Sequence, residues 1–279
     1  MKNYIQEIID YVEVQIQENL NINDIANYIG YSQYYLNKMF SIYTGMSIMY
    51  YVRKRKFEYA LIDLQSKIPI IDIATKYAFN SRKTFTRAFT SFYLQTPSTY
   101  RYNQMTLPAK IILNNLGGIK MLPYLSEPKE VSINKLYVLS HTIISKNPED
   151  EVNQYMKDYA VKHNLNILKM LGADSPINEE QQAKGFRAYE CWLVISKEQY
   201  ENHKYMGVTK KVINESNYLM LRIEEPFANP FERIPNGWKK LVSIFNENYT
   251  FNDFPGFMCF EEILRIEGKE VMDIFIPFK

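Results

Sequence analysis

The sequence predicts two domains of different class: an all-α N-terminal domain with two helix-turn-helix units joined by a long helix, and an α+β C-terminal domain with an antiparallel sheet. Three observations lead to this prediction. A pair of short helical segments in the first third of the chain recurs about 49 residues later. The helical periodicity then gives way to strand-like runs. The length of 279 residues suits two domains, which we place at 1–107 and 108–279.

The first helix-turn-helix unit follows an opening helix, predicted over residues 4–18 from isoleucines and valine at helical spacing. Asn21 is suited to start the next helix and Gly30 to end it, since glycine readily adopts positive φ. Ser32 then caps a helix that reaches residue 40. Two short helices joined at a glycine are typical of a helix-turn-helix, whose second helix enters a major groove.

The second unit repeats this pattern over residues 69–79 and 81–89, and the Asp-Ile-Ala of 24–26 returns at 72–74. Residues 47–65 form one long helix between the units. This helix holds the recognition helices at a fixed separation, so that they can reach successive major grooves roughly 34 Å apart. The apolar faces of the recognition helices are predicted to be core: Tyr35, Leu36, Met39, Phe40, Phe85 and Phe89.

The second domain begins after a predicted linker at 103–130, which is marked by prolines and a Gly-Gly pair. Strand-like runs occur at 131–144, 186–196, 208–224, 256–267 and 270–277, and helical runs at 149–171 and 230–247. This order suggests a duplicated strand-helix-strand-strand unit with the helices on one side of the sheet.

Composition narrows the function classes. Residues 1–107 carry 12 lysines and arginines against 8 acids, which favours a polyanionic partner for that domain. The N-terminus is neither a signal peptide nor an anchor, no run of about 18 apolar residues exists, and the two cysteines are expected to be reduced thiols, so we expect a cytoplasmic protein. The three histidines show no metal spacing, and no phosphate loop or nucleophile motif occurs, so neither a cofactor nor an enzyme is predicted.

Candidate DNA contacts are the predicted exposed positions of the two recognition helices. Arginine and lysine suit guanine, asparagine suits adenine, and a threonine methyl suits the thymine methyl. Arg53, Arg55 and Lys56 of the long helix better suit phosphates. The recognition-helix candidates are Gln33, Tyr34, Asn37 and Lys38 in the first unit, and Arg82, Lys83, Thr84, Thr86 and Arg87 in the second.

Residues 4–103 resemble the AraC/XylS family DNA-binding domain. The resemblance is carried by Gly30-Tyr-Ser, Thr44-Gly45, Tyr51-Val-Arg-x-Arg-Lys56, Tyr77-Ala-Phe, Ser81, Phe85, Arg87, Phe89 and Thr96-Pro97-Ser-x-Tyr-Arg101. It implies that Tyr34, Asn37, Lys38, Arg82, Thr84, Thr86 and Arg87 face base edges or nearby phosphates. Lys38 stands where relatives often carry arginine and lacks its bidentate fork, so the first unit is expected to read sequence less strictly than the second.

Residues 110–279 resemble the GyrI-like effector-binding domain. Tyr189-Glu-Cys-Trp192, Gly207-Val-Thr, Pro235-Asn-Gly-Trp-Lys-Lys-Leu241, Phe260-Glu-Glu-Ile-Leu264 and Ile274-Phe-Ile-Pro277 carry this likeness. The resemblance implies a pocket carboxylate at Glu261, although Ile263 replaces a tyrosine common in the family. A carboxylate among aromatic rings can bind a hydrophobic cation, and the candidate ligand residues are Glu190, Trp192, Trp238 and Glu261.

The sequence therefore predicts a DNA-binding transcription regulator, an activator working with RNA polymerase, that responds to a small and cationic hydrophobic ligand. One alternative is a drug-sequestering or small hydrolase module localised by its DNA-binding domain. Another is a structural chromosome-binding protein whose second domain binds a protein. Double-stranded DNA is the expected partner in all three, and no membrane is.

Overall fold

A computed structural model describes residues 4–66, 68–101, 122–202, 206–252 and 257–279. The chain forms two compact units that divide near residue 117. The predicted boundary at 107/108 and most of the predicted linker lie outside the described residues. Within the described ranges, no helix is both long and apolar enough to cross a membrane.

The described part of the first unit is helical, and two pairs of helices flank one long central helix. The helices are α1 (Tyr4–Val14), α2 (Ile22–Ile29), α3 (Gln33–Thr44), α4 (Ile48–Leu64), α5 (Ile70–Lys76), α6 (Arg82–Tyr93) and α7 (Pro97–Tyr100). The predicted helix-turn-helix pairs are thus α2–α3 and α5–α6, joined by α4.

Side-chain caps fix where these helices begin. Asn21 and Asp24 form a reciprocal capping box at the start of α2, and the Ser32 and Ser81 hydroxyls accept backbone N–H bonds at the starts of α3 and α6. Gly30 ends α2 with φ +84°. In the second helix-turn-helix pair, Ala78 occupies the corresponding turn with φ +57°. The second turn therefore holds a residue with a Cβ in the left-handed region.

The cores of both helix-turn-helix units follow the sequence prediction. All six recognition-helix residues predicted to be core are buried, and so are Ala26 and Ala74 of the repeated Asp-Ile-Ala segments. Phe57 of α4 packs among the rings of Phe79, Phe85 and Phe89, with centroids 5.5–6.0 Å away. The long helix α4 therefore supplies core residues to the second helix-turn-helix pair and also connects that pair to the first.

The second unit is an eight-stranded antiparallel sheet with helices on one face. Its strands are β1 (Lys129–Ile133), β2 (Leu136–Ser145), β3 (Lys169–Ser175), β4 (Arg187–Ile195), β5 (Thr209–Ile213), β6 (Ser216–Glu224), β7 (Phe260–Ile266) and β8 (Lys269–Phe278). Its helices are α8 (Pro148–Lys162), α9 (Glu179–Ala183), α10 (Lys197–Asn202) and α11 (Pro230–Asn248), with a 3-10 turn at Pro226–Ala228.

The strand order is β1-β6-β8-β7-β3-β4-β2-β5, so two four-stranded halves meet where β7 pairs with β3. That central ladder is short: it pairs Leu171 with Glu262 and Gly172 with Glu261, whereas β2 and β4 pair over nine residues. Side chains from all eight strands share one apolar cluster on the face opposite the helices, which requires a curled sheet.

Three predicted elements of the second unit need correction. The runs 131–144 and 208–224 are each two strands, separated at residues 134–135 and 214–215. The predicted helix at 149–171 ends at Lys162, because Asn164 adopts φ +49° and the chain turns into β3. The apolar residues after that turn satisfied the helical period by chance. The predicted duplication of a strand-helix-strand-strand unit stays a prediction.

Candidate functional site

The second recognition helix, α6, presents a cationic surface over a buried aromatic face. Arg82, Lys83, Thr84 and Arg87 are exposed, and Thr86 is half-buried. Phe85 and Phe89 on the opposite side are fully buried. Since the Ser81 hydroxyl caps the helix by accepting the Thr84 N–H at 3.1 Å, the N-terminal turn that carries these side chains is held in place.

The first recognition helix, α3, is less accessible than predicted. Of its four candidates only Gln33 is exposed, while Tyr34 and Asn37 are half-buried and Lys38 is 8% exposed. Lys38 follows the buried Tyr35 by three residues, which places it at the edge of the buried face. The Asn37 Oδ1 accepts the Ile48 N–H at 3.2 Å, so this amide also helps to start α4. The expectation that these side chains are freely exposed is wrong for Lys38.

Two of the three basic residues assigned to phosphates on α4 are instead interior. Arg55 is 2% exposed and Lys56 is 7% exposed, while Arg53 is half-buried. The phosphate-contact prediction for Arg55 and Lys56 is therefore wrong. The physical reason is that α4 passes through the centre of the unit and is buried on several sides, so its basic stretch cannot all face solvent.

Arg55 lies in a buried ionic network. Its guanidinium donates to both Glu13 oxygens at 2.7 and 3.1 Å and to Glu58 at 2.6 Å. Tyr51 and Tyr59 also donate to Glu13. Burial alone would raise the pKa of Glu13, but the bonds from Arg55, Tyr59 and Tyr51 lower it below its usual 4.5. Glu13 is therefore held as a carboxylate that ties α1 to α4.

Lys56 uses its ammonium differently, on two backbone carbonyls. Its Nζ donates to the Glu18 oxygen at 2.6 Å and to the Tyr77 oxygen at 3.0 Å. Burial lowers the pKa of Lys56, while the Glu18 carboxylate partly offsets this. Glu18 belongs to the segment between α1 and α2, and Tyr77 is the C-cap of α5. One ammonium thus joins the segment that leads into α2 to the end of α5.

In the second unit, the candidate ligand carboxylate Glu261 pairs with Tyr189. The Tyr189 hydroxyl donates to Glu261 Oε1. Tyr189 is buried, and burial together with the neighbouring Glu261 carboxylate holds its pKa well above its usual value. Gly172 permits this pair, because a Cβ there would lie 1.8 Å from the Tyr189 hydroxyl oxygen.

The four candidate ligand residues are divided between the two faces of the sheet. Gly172 pairs with Glu261 and with Cys191, whereas the next residue, Ala173, pairs with Glu190. Cross-strand partners share a face and successive residues alternate, so Glu261 and Glu190 lie on opposite faces. The four candidates therefore do not share one face of the sheet.

The helix-covered face carries Glu261, Tyr189 and Trp238. Tyr189 and Cys191 pack in one cluster with α8. Gly237 of α11 lies against Ile223, which has the same facing as Glu261, so Trp238 belongs to a helix on this face too. The other face holds Glu190 and Trp192 within an apolar cluster, where Glu190 accepts bonds from the Trp192 indole and from Lys211. Both carboxylate oxygens of Glu190 thus accept hydrogen bonds from neighbours on this face.

Sequence reasoning missed Tyr189 as a partner of Glu261. The strand alternation that set Glu190 apart from its neighbours puts Tyr189 on the opposite face, and that signal was present in the Tyr189-Glu-Cys-Trp192 segment. It missed Gly172 because residues 169–171 were assigned to a helix. The Glu13–Arg55–Glu58 network carried no sequence signal beyond charged residues at helical spacing.

The sequence comparisons concern the helix-turn-helix region. Residues 25–103 match a family model described as a helix-turn-helix domain. The probable transcription factor PqrA of Proteus vulgaris is 39% identical over 105 residues, which is 37% of this chain and 86% of that protein. The transposon Tn10 TetD protein of Escherichia coli is 34% identical over 102 residues, which is 36% of this chain and 74% of that protein.

Among solved structures, one similar chain is a transcriptional regulator from Chromobacterium violaceum, described as an AraC-type DNA-binding domain-containing protein. It is 27% identical, with a TM-score of 0.34, and the match covers 35% of this chain and 88% of that one.

Proposed function

Because this chain belongs to the AraC/XylS family of helix-turn-helix transcription regulators, we propose that it reads a specific DNA sequence with α6 and α3 and responds to a small molecule bound by its second unit. The exposed cationic surface of α6 is the observation that supports sequence reading most directly. We further propose that it activates transcription by recruiting RNA polymerase in the cytoplasm.

The chemistry of α6 fits a major groove. Arg82 and Arg87 carry planar guanidinium groups, which can bond guanine O6 and N7 in a bidentate manner. Lys83 suits a phosphate, and the Thr84 methyl suits a thymine methyl. On α3 the exposed Gln33 is the polar side chain best placed for an adenine edge, with Tyr34 beside it. The second helix-turn-helix pair, α5–α6, therefore supplies most of the base reading.

In vitro selection from a random double-stranded DNA library tests this function. We expect the wild-type chain to enrich one bipartite site, with affinity that falls steeply as salt increases. Arg87→Ala should weaken binding to that site by about 1–3 kcal/mol and relax the base preference at one position. Lys83→Ala should weaken selected and random DNA alike. Enrichment of no sequence would contradict the proposal and favour a structural chromosome-binding protein.

For the second unit we propose a ligand site at Tyr189 and Glu261, with Trp238 on the same face. A carboxylate beside aromatic rings attracts a hydrophobic cation through charge and cation–π interactions. Glu190 and Trp192 are not part of this site, because they lie on the opposite face in bonds of their own.

Thermal unfolding of the full chain with tetraphenylphosphonium and with neutral naphthalene-type compounds tests the ligand class. A selective ligand stabilises the native state by mass action. We expect the cation to raise the unfolding midpoint of the wild type and of Glu190→Gln, but not of Glu261→Gln. Equal shifts in both variants would place the cation elsewhere.

The Tyr189–Glu261 hydrogen bond also favours a second candidate, a small hydrolase or drug-sequestering module localised on DNA. A tyrosine and a carboxylate in contact can move a proton during attack on a reactive ligand. Breakdown of a bound electrophile that stops in Tyr189→Phe and in Glu261→Gln would support this alternative over a sensor.

A further inference from the structure

An open groove of the first unit lies beside α4. It has a volume of about 850 Å³ and is lined by α1 with the segment after it, by α4, and by the end of α5. Glu18 and Tyr77 are both on its walls. Lys56 reaches the carbonyls of these same two residues, at 2.6 and 3.0 Å. The ammonium therefore links two segments that both contribute to the walls of this groove.

Each carbonyl that Lys56 holds is close in sequence to a DNA-reading element. Glu18 lies three residues before the N-cap of α2, the helix that supports α3. Tyr77 ends α5 and is followed by the turn that leads, through Ser81, into α6. Its carbonyl is among those left without a helical partner at the end of α5, where a cation is favoured. A displacement of the Tyr77 carbonyl would shift the turn that leads into α6. A displacement of the Glu18 carbonyl would shift α2 and, through it, α3.

The arrangement is costly for a residue that serves only stability. Lys56 is 7% exposed and its Nζ donates to two neutral carbonyls. The Glu18 carboxylate offsets the burial of this charge only in part, because the pKa of Lys56 is still lowered. An apolar side chain of the same length would fill this position without that cost. What an ammonium adds is directional hydrogen bonds to two separate segments, which fix a distance.

We propose that Lys56 is a positioning residue that sets the separation of α3 and α6, and hence the spacing between the two DNA half-sites that the protein accepts. This inference rests on the proposed reading of DNA by both helices. When one recognition helix is bound, the other reaches its half-site in an intramolecular step whose effective concentration depends on how stiffly the two helices are joined. Loss of the Lys56 hydrogen bonds would make that junction less stiff and would lower this effective concentration.

The test uses DNA sites selected by the wild-type chain, remade with one base pair added or removed between the half-sites, and each half-site alone. One base pair changes the separation by about 3.4 Å along the DNA. We expect the wild type to prefer its selected spacing clearly. In Lys56→Met, affinity for the full site should fall about tenfold and the preference for the selected spacing should largely disappear, while binding to each half-site alone stays within twofold.

Lys54→Met is the matched control, because it removes the same charge from the same helix but from a side chain that is 36% exposed. Its ion-pair partner Glu58 stays bonded to Arg55 in this variant. It should keep the spacing preference. Lys56→Arg, which retains two directional donors, should restore part of it. If Lys56→Met does not fold, Lys56→Gln carries the same comparison, and circular dichroism melts verify that every variant is folded during the binding measurement.

An unchanged spacing preference in folded Lys56→Met would overturn the inference, and so would an equal loss on full sites and on isolated half-sites. These outcomes differ from failure of the proposed function, in which the wild-type chain itself selects no sequence.

Discussion

Replacing Arg55 with methionine should destabilise the first unit by about 4 kcal/mol, because it leaves the buried Glu58 carboxylate and the partly buried Glu13 carboxylate without their shared cation. Arg55 makes contacts of 2.6 to 3.1 Å with Glu13 and Glu58, whose side chains are 11% and 6% exposed. Removal of one partner from a buried ion pair costs roughly 3–5 kcal/mol. Glu13 keeps two tyrosine donors and Glu58 keeps Lys54, which argues against a loss at the very top of that range.

Urea denaturation of the full chain measures this loss with an internal reference. Both tryptophans, Trp192 and Trp238, lie in the second unit, so tryptophan emission follows that unit while circular dichroism at 222 nm weights the helical first unit. The dichroism transition should move to lower urea in Arg55→Met, and the tryptophan transition should not. Lys83→Met, at an exposed position of the first unit, should change stability by no more than about 0.5 kcal/mol.

The pH dependence identifies the cause. In the wild type the pKa of Glu13 is lowered, so its contribution to stability is present above pH 4.5 and is lost as pH falls below that value. Without Arg55 the pKa of Glu13 loses the lowering effect of that guanidinium and rises relative to the wild type. The carboxylate of the variant therefore takes up a proton at higher pH, and the stability deficit shrinks as the pH falls. The Arg55→Met/Glu13→Gln double variant should be more stable than Arg55→Met at pH 7. A loss below about 1 kcal/mol, or a double variant that is less stable still, would refute the uncompensated-charge explanation.

Further predictions concern backbone strain, close packing and buried phenols. Gly30→Ala should lower the free energy of unfolding of the first unit by about 1 kcal/mol, because no atom crowds the site and only the φ of +84° disfavours a Cβ. Ala78→Gly should leave this free energy unchanged or raise it. Circular dichroism melts that rank these two variants in the opposite order would contradict the strain argument. Gly172→Ala should destabilise the second unit by about 1–3 kcal/mol in tryptophan-monitored urea unfolding by pushing the Tyr189 ring aside, and unchanged stability would show that the ring yields freely. Burial raises the pKa of Tyr43 to about 12, so its contribution to stability is complete below pH 10 and is lost as pH rises towards 12; Tyr43→Phe should make urea midpoints less dependent on pH between 9.5 and 11.5, and an identical dependence would contradict this.

Most of the first unit was predictable because its signals are local. Caps such as Ser32 and Ser81, the glycine at position 30 and the helical spacing of apolar residues each act within one turn of chain. The prediction that failed there is the solvent exposure of the basic residues on α4. Periodicity indicates which side of a helix is apolar, but α4 is buried on several sides. Among the partners of Arg55 and Lys56, Glu58 lies on α4 itself, while Glu13, Glu18 and Tyr77 come from distant segments.

The second unit was predictable in class but not in detail. Helix α8 and strand β3 were merged because the apolar residues after Asn164 fit both periods, and only the left-handed turn there separates the two elements. Alternation along β4 and β7 correctly gives which residues of one strand share a face. It cannot give the register between strands, and that register decides that Glu261 meets Tyr189 rather than Glu190.

The short ladder between β3 and β7 gives the candidate ligand site an unusual mechanical position. Gly172 and Glu261 form one of the two residue pairs that join the four-stranded halves of the sheet. A molecule inserted between Tyr189 and Glu261 would therefore displace the strands at the junction of the two halves. A small displacement there would change the angle between the halves and would move the outer strands further. The residues that contact the ligand would also be those that join the two halves of the sheet. The positions of the outer strands and their helices would therefore depend on the size of the ligand as well as on its charge.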